Sequence, residues 1–240
     1  MKTVEVDRPA RETTRRAEIT AGLKLSLPAG LGMFPLGVAF GLLVLQQGLP
    51  WWLAPALSIM AYAGSLELLL VGMIATVMPL AAIALTTFLV NFRHVFYAFS
   101  FPLKVIGSRC ARVYSVYALT DEAYAVTAAS PGTWTPPRLL SMQLAFQAYW
   151  VGGGLVGVAV GQLLPGKIEG LEFALCALFV TLTLDACRTS AQVPALLLAG
   201  LAFGFAMILA PGAVLFAALI LFVSLLNVRY GLAHLRRKHA

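Results

Sequence analysis

Charged side chains are scarce in this sequence. Of the 240 residues, 11% are Asp, Glu, Lys or Arg and 60% are hydrophobic. The mean hydropathy is +0.87. A soluble domain of this size carries about 25% charged residues, because its whole surface faces water. The composition therefore excludes an ordinary soluble domain. It predicts an all-α protein, a polytopic bundle of transmembrane helices.

Cysteine and histidine are also rare. The three cysteines, at positions 110, 176 and 187, are an odd number without metal-ligand spacing, so they indicate no disulfide framework. His94 is the only histidine away from the C-terminal tail. The sequence has no HExxH, no GxSxG and no phosphate-binding loop. We therefore expect no metal, no cofactor and no enzymatic activity.

The basic residues concentrate at the two ends of the chain and give it a net charge of +7. Basic residues flanking apolar spans mark cytoplasmic ends. We expect a basic cytoplasmic N-terminal tail over 1–18, a transmembrane domain over 19–232 and a basic C-terminal tail over 233–240. Nucleic-acid binding is not expected, because that function requires a basic face on a folded domain.

Runs of about 20 apolar residues predict membrane-spanning helices. The first run, 20–47, is expected to be interrupted by Pro28 and Pro35. The further runs lie at 51–76, 80–101, 139–163, 171–188, 192–209 and 212–231. Segment 113–130 is apolar at both ends and acidic at its centre. It fits a true span, a broken helix or the lining of a cavity, so we expect about seven or eight membrane segments, some of them discontinuous.

Glycines recur at four-residue spacing, which predicts close helix packing. The rows are Gly37 with Gly41, Gly200 with Gly204, and Gly153, Gly157 and Gly161. Either an internal pair of helices or a partner subunit would satisfy this pattern.

Ionisable residues inside predicted spans are costly and mark candidate functional positions. Glu67 has apolar residues on both sides and follows Ala63-Gly64-Ser65, a sequence that favours unwinding of the helix. It is either a site residue that carries a proton or substrate, or a hydrogen-bonded structural glutamate. Arg93 and His94 lie near the end of their span, beside Asn91. Their side chains either face a pore or snorkel to the lipid headgroups.

Asp121 and Glu122 allow two interpretations. After Thr120 they fit a helix cap with first-turn acids, and at membrane depth they fit a substrate pathway.

Four segments together resemble a known family. They are PLGVAFG (35–41), AYAGSLELL (61–69), NFRHVFYAFS (91–100) and TDEAYAV (120–126). In order and spacing they resemble the AzlC family, the large subunits of branched-chain amino acid permeases, from about Gly22 to Gly231. The resemblance implies export of branched-chain or other neutral amino acids across the bacterial inner membrane. It also implies a small hydrophobic partner of the AzlD type.

The resemblance carries candidate substrate-binding residues over by matched position. They are Gly64, Glu67, Asn91, Arg93, His94, Asp121 and Glu122. One departure is Glu67, where the family often has glutamine, and this bears on substrate charge preference. Two other hypotheses stay open, an intramembrane hydrolase-like enzyme and a structural subunit that does not itself transport.

Overall fold

The computed structural model describes residues 8–130, 134–164, 192–211 and 214–238, together with isolated positions between 164 and 192. The chain forms two compact units, residues 1–171 and residues 172–240. Throughout the described residues, regular structure is helical and no strand occurs. The predicted all-α class is confirmed.

The first unit contains eight α-helices among its described residues. They are α1 (Arg8–Gln46), α2 (Leu53–Met60), α3 (Gly64–Ala75), α4 (Leu80–Asn91), α5 (His94–Ser100), α6 (Arg109–Tyr117), α7 (Asp121–Ala129) and α8 (Pro136–Leu163). A short 3₁₀ helix, Leu103–Val105, precedes α6. In the second unit, α9 (Val193–Leu209) packs against α10 (Val214–Lys238). The predicted span 171–188 lies outside the described ranges.

Three helical stretches are long and apolar enough to cross a membrane, counting only described residues: Thr14–Gln46, Leu80–Ser100 and Pro136–Leu163. Three shorter stretches are also apolar: Gly64–Ala75, Val193–Leu209 and Ala217–Gly231. Many large apolar side chains on these helices are exposed, for example Phe88, Phe96 and Phe99. Such surfaces suit lipid as solvent, so the fold is that of a membrane protein.

Helix α1 is longer and more regular than the sequence indicated. It begins at Arg8, inside the segment expected to be a tail, and it continues through both Pro28 and Pro35. The expected interruption at these prolines is absent from the helix. A proline removes one backbone hydrogen bond and crowds the preceding turn. Packing of α1 along α8 on both sides of the prolines keeps the chain helical.

Helices α1 and α8 run parallel and in close contact. Glu18 near the start of α1 pairs with Arg138 near the start of α8, at 2.9 Å. At the other ends, a Cβ built on Gly161 would lie 3.8 Å from Cβ of Leu45. Between these points the predicted glycine rows face each other: a Cβ on Gly37 would lie 2.6 Å from the carbonyl oxygen of Trp150 and 3.2 Å from Cα of Gly153. These rows therefore serve an internal helix pair.

The parallel packing constrains how the chain crosses the bilayer. Because α1 and α8 begin on the same side, the segment 47–135 between them makes an odd net number of crossings. Either one or all three of the segments α2–α3, α4–α5 and α6–α7 cross completely.

Each of these three segments is interrupted. The α2–α3 segment breaks at residues 61–63, α4–α5 at Phe92 and Arg93, and α6–α7 at residues 118–120. The first break includes Ala63 of the predicted unwinding sequence, while Gly64 and Ser65 already belong to α3. The third shows that segment 113–130 is a broken helix, one of the three forms that its composition allowed.

Candidate functional site

The three helix breaks meet at one cluster of polar side chains. Ser65 lies in the first turn of α3, Arg93 lies between α4 and α5, and Asp121 begins α7. Nη2 of Arg93 donates to Oγ of Ser65 at 2.9 Å and pairs with Oδ2 of Asp121 at 2.6 Å. One guanidinium thus joins all three breaks, although the residues are 28 positions apart in each direction along the chain.

The Arg93–Asp121 pair is partly open to its surroundings. The two side chains are 40% and 34% exposed. The hydroxyl of Tyr97 donates to Oδ1 of Asp121 at 2.7 Å, and the ring of Tyr97 stacks on Tyr124 with centroids 4.2 Å apart. The bond from Tyr97, whose ring is held by Tyr124, fixes the direction of the carboxylate.

The local structure shows the helix-cap arrangement of the two acids, and the substrate-pathway interpretation stays a prediction. The Thr120 side chain caps α7 by accepting from the backbone N–H of Ala123 at 3.4 Å, and Asp121 and Glu122 occupy the first turn. Acids are favourable there because of the helix dipole. Asp121 also pairs with Arg93 at 2.6 Å.

Glu67 forms a second cluster around the α2–α3 break. Its side chain is fully buried. Oε2 accepts from Oγ of Ser58 at 2.7 Å and from Nε1 of Trp150 at 3.0 Å, and Oε1 accepts from the backbone N–H of Ala63 at 2.9 Å. The carboxylate therefore ties α2, the break and α8 together. Its bond back to the residue before α3 resembles the reciprocal bond of a capping box.

Gly64 belongs to this second cluster. A Cβ at Gly64 would lie 2.9 Å from the Trp150 indole, so the glycine lets the start of α3 approach that ring. Ser65, the next residue, belongs to the Arg93 cluster. The two clusters are therefore adjacent along the first turn of α3.

Asn91 and His94 lie beside the Arg93 cluster. Nδ1 of His94 lies 3.0 Å from the backbone carbonyl oxygen of Asn91, and the His94 ring meets Tyr97 edge to face at 5.3 Å. Oδ1 of Asn91 is buried, and no described residue gives it a hydrogen bond. Of the seven candidate residues, the structure joins Arg93 to Asp121 directly and places Asn91, His94 and Glu122 around them. Gly64 and Glu67 form the supporting cluster.

The sequence analysis did not identify several polar residues that bond to the helix breaks. Gln143 of α8 is fully buried. Its Nε2 donates to the carbonyls of Ser115 and Ala118 at 2.9 and 3.0 Å, and its Oε1 accepts from Oγ of Ser115 at 2.7 Å. It thereby satisfies carbonyl groups that the α6–α7 break leaves without helical partners. Gln143 and Gln147, two amides one turn apart within an apolar span, were the signal that could have found it.

The cluster places a cation and an anion side by side. The described residues contain no group of three or more His, Cys, Asp or Glu placed to hold a metal ion. Arg93 offers a cation for a carboxylate, and Asp121 offers an anion for an ammonium group. A zwitterion has both groups.

Broken helices that meet at a partly exposed charged pair, among long apolar helices, define an all-α membrane protein with a polar cluster at its helix breaks. Sequence comparison then identifies the family. The family model "AzlC protein" matches residues 28–164, more than half of the chain, and includes both polar clusters. This chain belongs to the AzlC family.

Individual relatives agree with this assignment. An uncharacterized membrane protein of Helicobacter pylori is 30% identical over 65% of this chain and 69% of its own length. The branched-chain amino acid transport protein AzlC of Bacillus subtilis is 27% identical over 77% of this chain and 76% of its own. The inner membrane protein YgaZ of Escherichia coli is 28% identical over 75% and 80%. No solved structure matches the chain.

Proposed function

We propose that this chain is the large subunit of a transporter that exports branched-chain or other neutral amino acids across a bacterial inner membrane. The observation that carries the proposal is the Arg93–Asp121 pair. It joins three helix breaks, it is partly exposed, and it lies inside the matched family region. The Bacillus subtilis relative, a branched-chain amino acid transport protein, supplies the substrate class.

The proposed binding mode opens this ion pair. The substrate carboxylate replaces Asp121 on the guanidinium of Arg93, with Ser65 and the start of α3 beside it. The helix N-terminus favours an anion at that position. The substrate ammonium group lies on the acidic side of the site, near Asp121 and Glu122. In the empty site Arg93 and Asp121 pair with each other. In the filled site each pairs with the opposite charge of the substrate, so no charge is left unpaired in either state.

Export also involves a second, small hydrophobic membrane subunit in this proposal, of the AzlD type that the family resemblance implied. The exposed apolar faces of α4 and α5 leave helix surface for lipid or for such a subunit. The outward direction of transport follows from the resemblance to the AzlC family.

The test is efflux from cells loaded with dipeptides that release leucine or valine inside. Cells expressing this chain with its small partner are expected to release the amino acid faster than cells with an empty vector. Arg93→Ala should abolish that increase while the protein still inserts in normal amount. Arg16→Ala, a change in the basic N-terminal segment, is the matched control and should leave efflux intact.

The outcome also separates the rival interpretations. No efflux of any neutral amino acid, with the partner present, would overturn the proposal. Efflux that needs the partner but survives Arg93→Ala would indicate a supporting subunit rather than the substrate pathway. Conversion of the amino acid into a new product by the purified protein would indicate an enzyme.

A further inference from the structure

Tyr62 occupies an unusual position at the α2–α3 break. Its φ angle is 43°, in the left-handed region that a bulky residue rarely adopts. Its side chain is only 4% exposed. Strained backbone of this kind persists where the surrounding structure holds it, and it concentrates at functional positions. The strain here turns an aromatic side chain into the interior directly before Ala63 and Gly64.

The Tyr62 hydroxyl is buried, and none of the described residues gives it a hydrogen-bond partner. A buried polar group without a partner costs stability and requires an explanation. The neighbouring Tyr117 shows the contrast. Its ring lies 5.5 Å from that of Tyr62, but its hydroxyl donates to the carbonyl of Ile59 and accepts from Nε2 of Gln147 at 3.1 Å.

The surroundings of Tyr62 indicate what kind of partner is missing. The Tyr62 ring packs against Tyr117 at the end of α6, directly before the α6–α7 break. Glu122 lies in the first turn of α7 after that break, and Glu67 lies in the first turn of α3. A phenol oxygen and a carboxylate both accept hydrogen bonds, so a positively charged donor that binds near this break can use the two together.

Glu67 itself is not available for that donor. Its two oxygens already accept from Ser58, Trp150 and Ala63. Glu122 is therefore the carboxylate placed to share a cation with Tyr62. Glu122 follows Asp121, whose carboxylate pairs with Arg93 at 2.6 Å, so this position lies beside the ion pair.

We propose that the Tyr62 hydroxyl and the Glu122 carboxylate bind the ammonium group of the transported molecule, while Arg93 binds its carboxylate. This assignment rests on the proposed function and deepens it. It makes a primary ammonium group a requirement of the substrate, and it assigns a binding role to Tyr62, which lies outside the seven candidate residues.

The test compares two ligands that differ in this group, leucine and 2-hydroxy-4-methylpentanoate, in which a hydroxyl replaces the ammonium. Binding is measured as the ligand-induced rise in melting temperature of the purified protein, titrated to give an apparent affinity. Tyr62→Phe is expected to weaken leucine binding about tenfold or more, because a hydrogen bond to a charged group is lost. Binding of the hydroxy acid, weaker from the start, should change less than twofold.

Two controls separate binding from folding. Tyr62→Phe should not lower the melting temperature of the ligand-free protein, because its hydroxyl has no partner to lose. Tyr117→Phe loses the bond to Ile59 and should lower that temperature without changing leucine affinity. Glu122→Gln should reproduce the selective loss of leucine binding.

The experiments test the proposed function and the ammonium site separately. If the wild-type protein neither exports nor binds any neutral amino acid, the proposed function is wrong and the ammonium site with it. If the wild type binds leucine and Tyr62→Phe binds it equally well, only the ammonium site is overturned. An equal loss of affinity for both ligands in Tyr62→Phe also overturns it, since the effect would not depend on the ammonium group.

Discussion

The indole Nε1 of Trp150 donates to the carboxylate of Glu67 at 3.0 Å, across 83 positions of sequence. This bond attaches the start of α3 to the middle of α8. With the bonds from Ser58 and Ala63, it gives the carboxylate three donors. The start of α3, which carries Ser65 into the Arg93 cluster, is therefore held by an acid that is itself shielded from the site.

Glu67→Gln is expected to destabilise the protein by about 1–3 kcal/mol, the cost of a buried donor without an acceptor. The N–H groups of Trp150 and Ala63 both need an acceptor, and an amide offers only one oxygen. One N–H must then face the NH₂ group. Chemical unfolding in detergent measures the change. Ser58→Ala, which leaves two donors in place, should cost less, and equal stability of Glu67→Gln and wild type would contradict the acceptor role.

Gly157→Ala is expected to destabilise the α1–α8 pair by about 1–3 kcal/mol, as overpacking of a close contact does. An added Cβ would press directly on the carbonyl of Val38. Gly32→Ala is the matched control in the same pair, because its Cβ would meet no described atom within 4 Å. That change should be neutral or slightly stabilising, since alanine favours helix over glycine by about 1 kcal/mol. Thermal unfolding of the two variants side by side checks the difference.

Leu45→Cys with Gly161→Cys is expected to form a disulfide when the native cysteines are replaced by alanine. The corresponding Cβ atoms lie 3.8 Å apart, within the range of natural disulfides. Gly22→Cys with Gly161→Cys should stay reduced, because these positions lie at opposite ends of a parallel pair. Mass spectrometry of peptides prepared without reducing agent detects whether a disulfide forms in each of the two variants. Cross-linking in the control pair would instead indicate antiparallel helices.

Arg93→Gln and Asp121→Asn are expected to be coupled. Each single change leaves one charge without its partner, while the double change removes both. At 40% and 34% exposure the coupling in unfolding free energy should be modest, about 1 kcal/mol or less. Efflux should stay low in all three variants, because the double variant recovers stability without recovering either ligand-binding charge. Restored efflux in the double variant would mean that the pair is only structural.

Composition was sufficient to predict the membrane class and the helical fold, because few charges and long apolar runs leave few other structures possible. The glycine rows of α1 and α8 also predicted close packing correctly, and their partner proved to be internal. The Gly200–Gly204 row did not, because a Cβ at either position would meet no described atom within 4 Å. The prolines of α1 misled, since local propensity predicts interruption while packing along α8 preserves the helix. The α4–α5 break had no glycine or proline that could predict it, and its Arg93 contacts residues far away in sequence.

At the candidate site, too, the sequence predicted some features and not others. Ionisable residues inside spans indicated Arg93, Asp121 and Glu67 as important positions, because charge in a membrane is costly wherever it occurs. The sequence did not show that Arg93 pairs with Asp121, or that Glu67 is enclosed by Trp150 and Ser58. Those relationships depend on tertiary packing. Tyr62 carried no signal, since an aromatic residue in an apolar run is ordinary.

The parallel association of α1 with α8 has a consequence for biogenesis. Helix α1 ends at Gln46 and α8 begins at Pro136, so most of this region is synthesised before the two can meet. At bacterial elongation rates of about 5–20 residues per second, the glycine face of α1 waits in the membrane for roughly 5–20 seconds. During that time the face is open to the insertion machinery, to lipid or to another nascent chain. Completion of α8 is thus the step that commits the amino-terminal half of the protein to its final assembly.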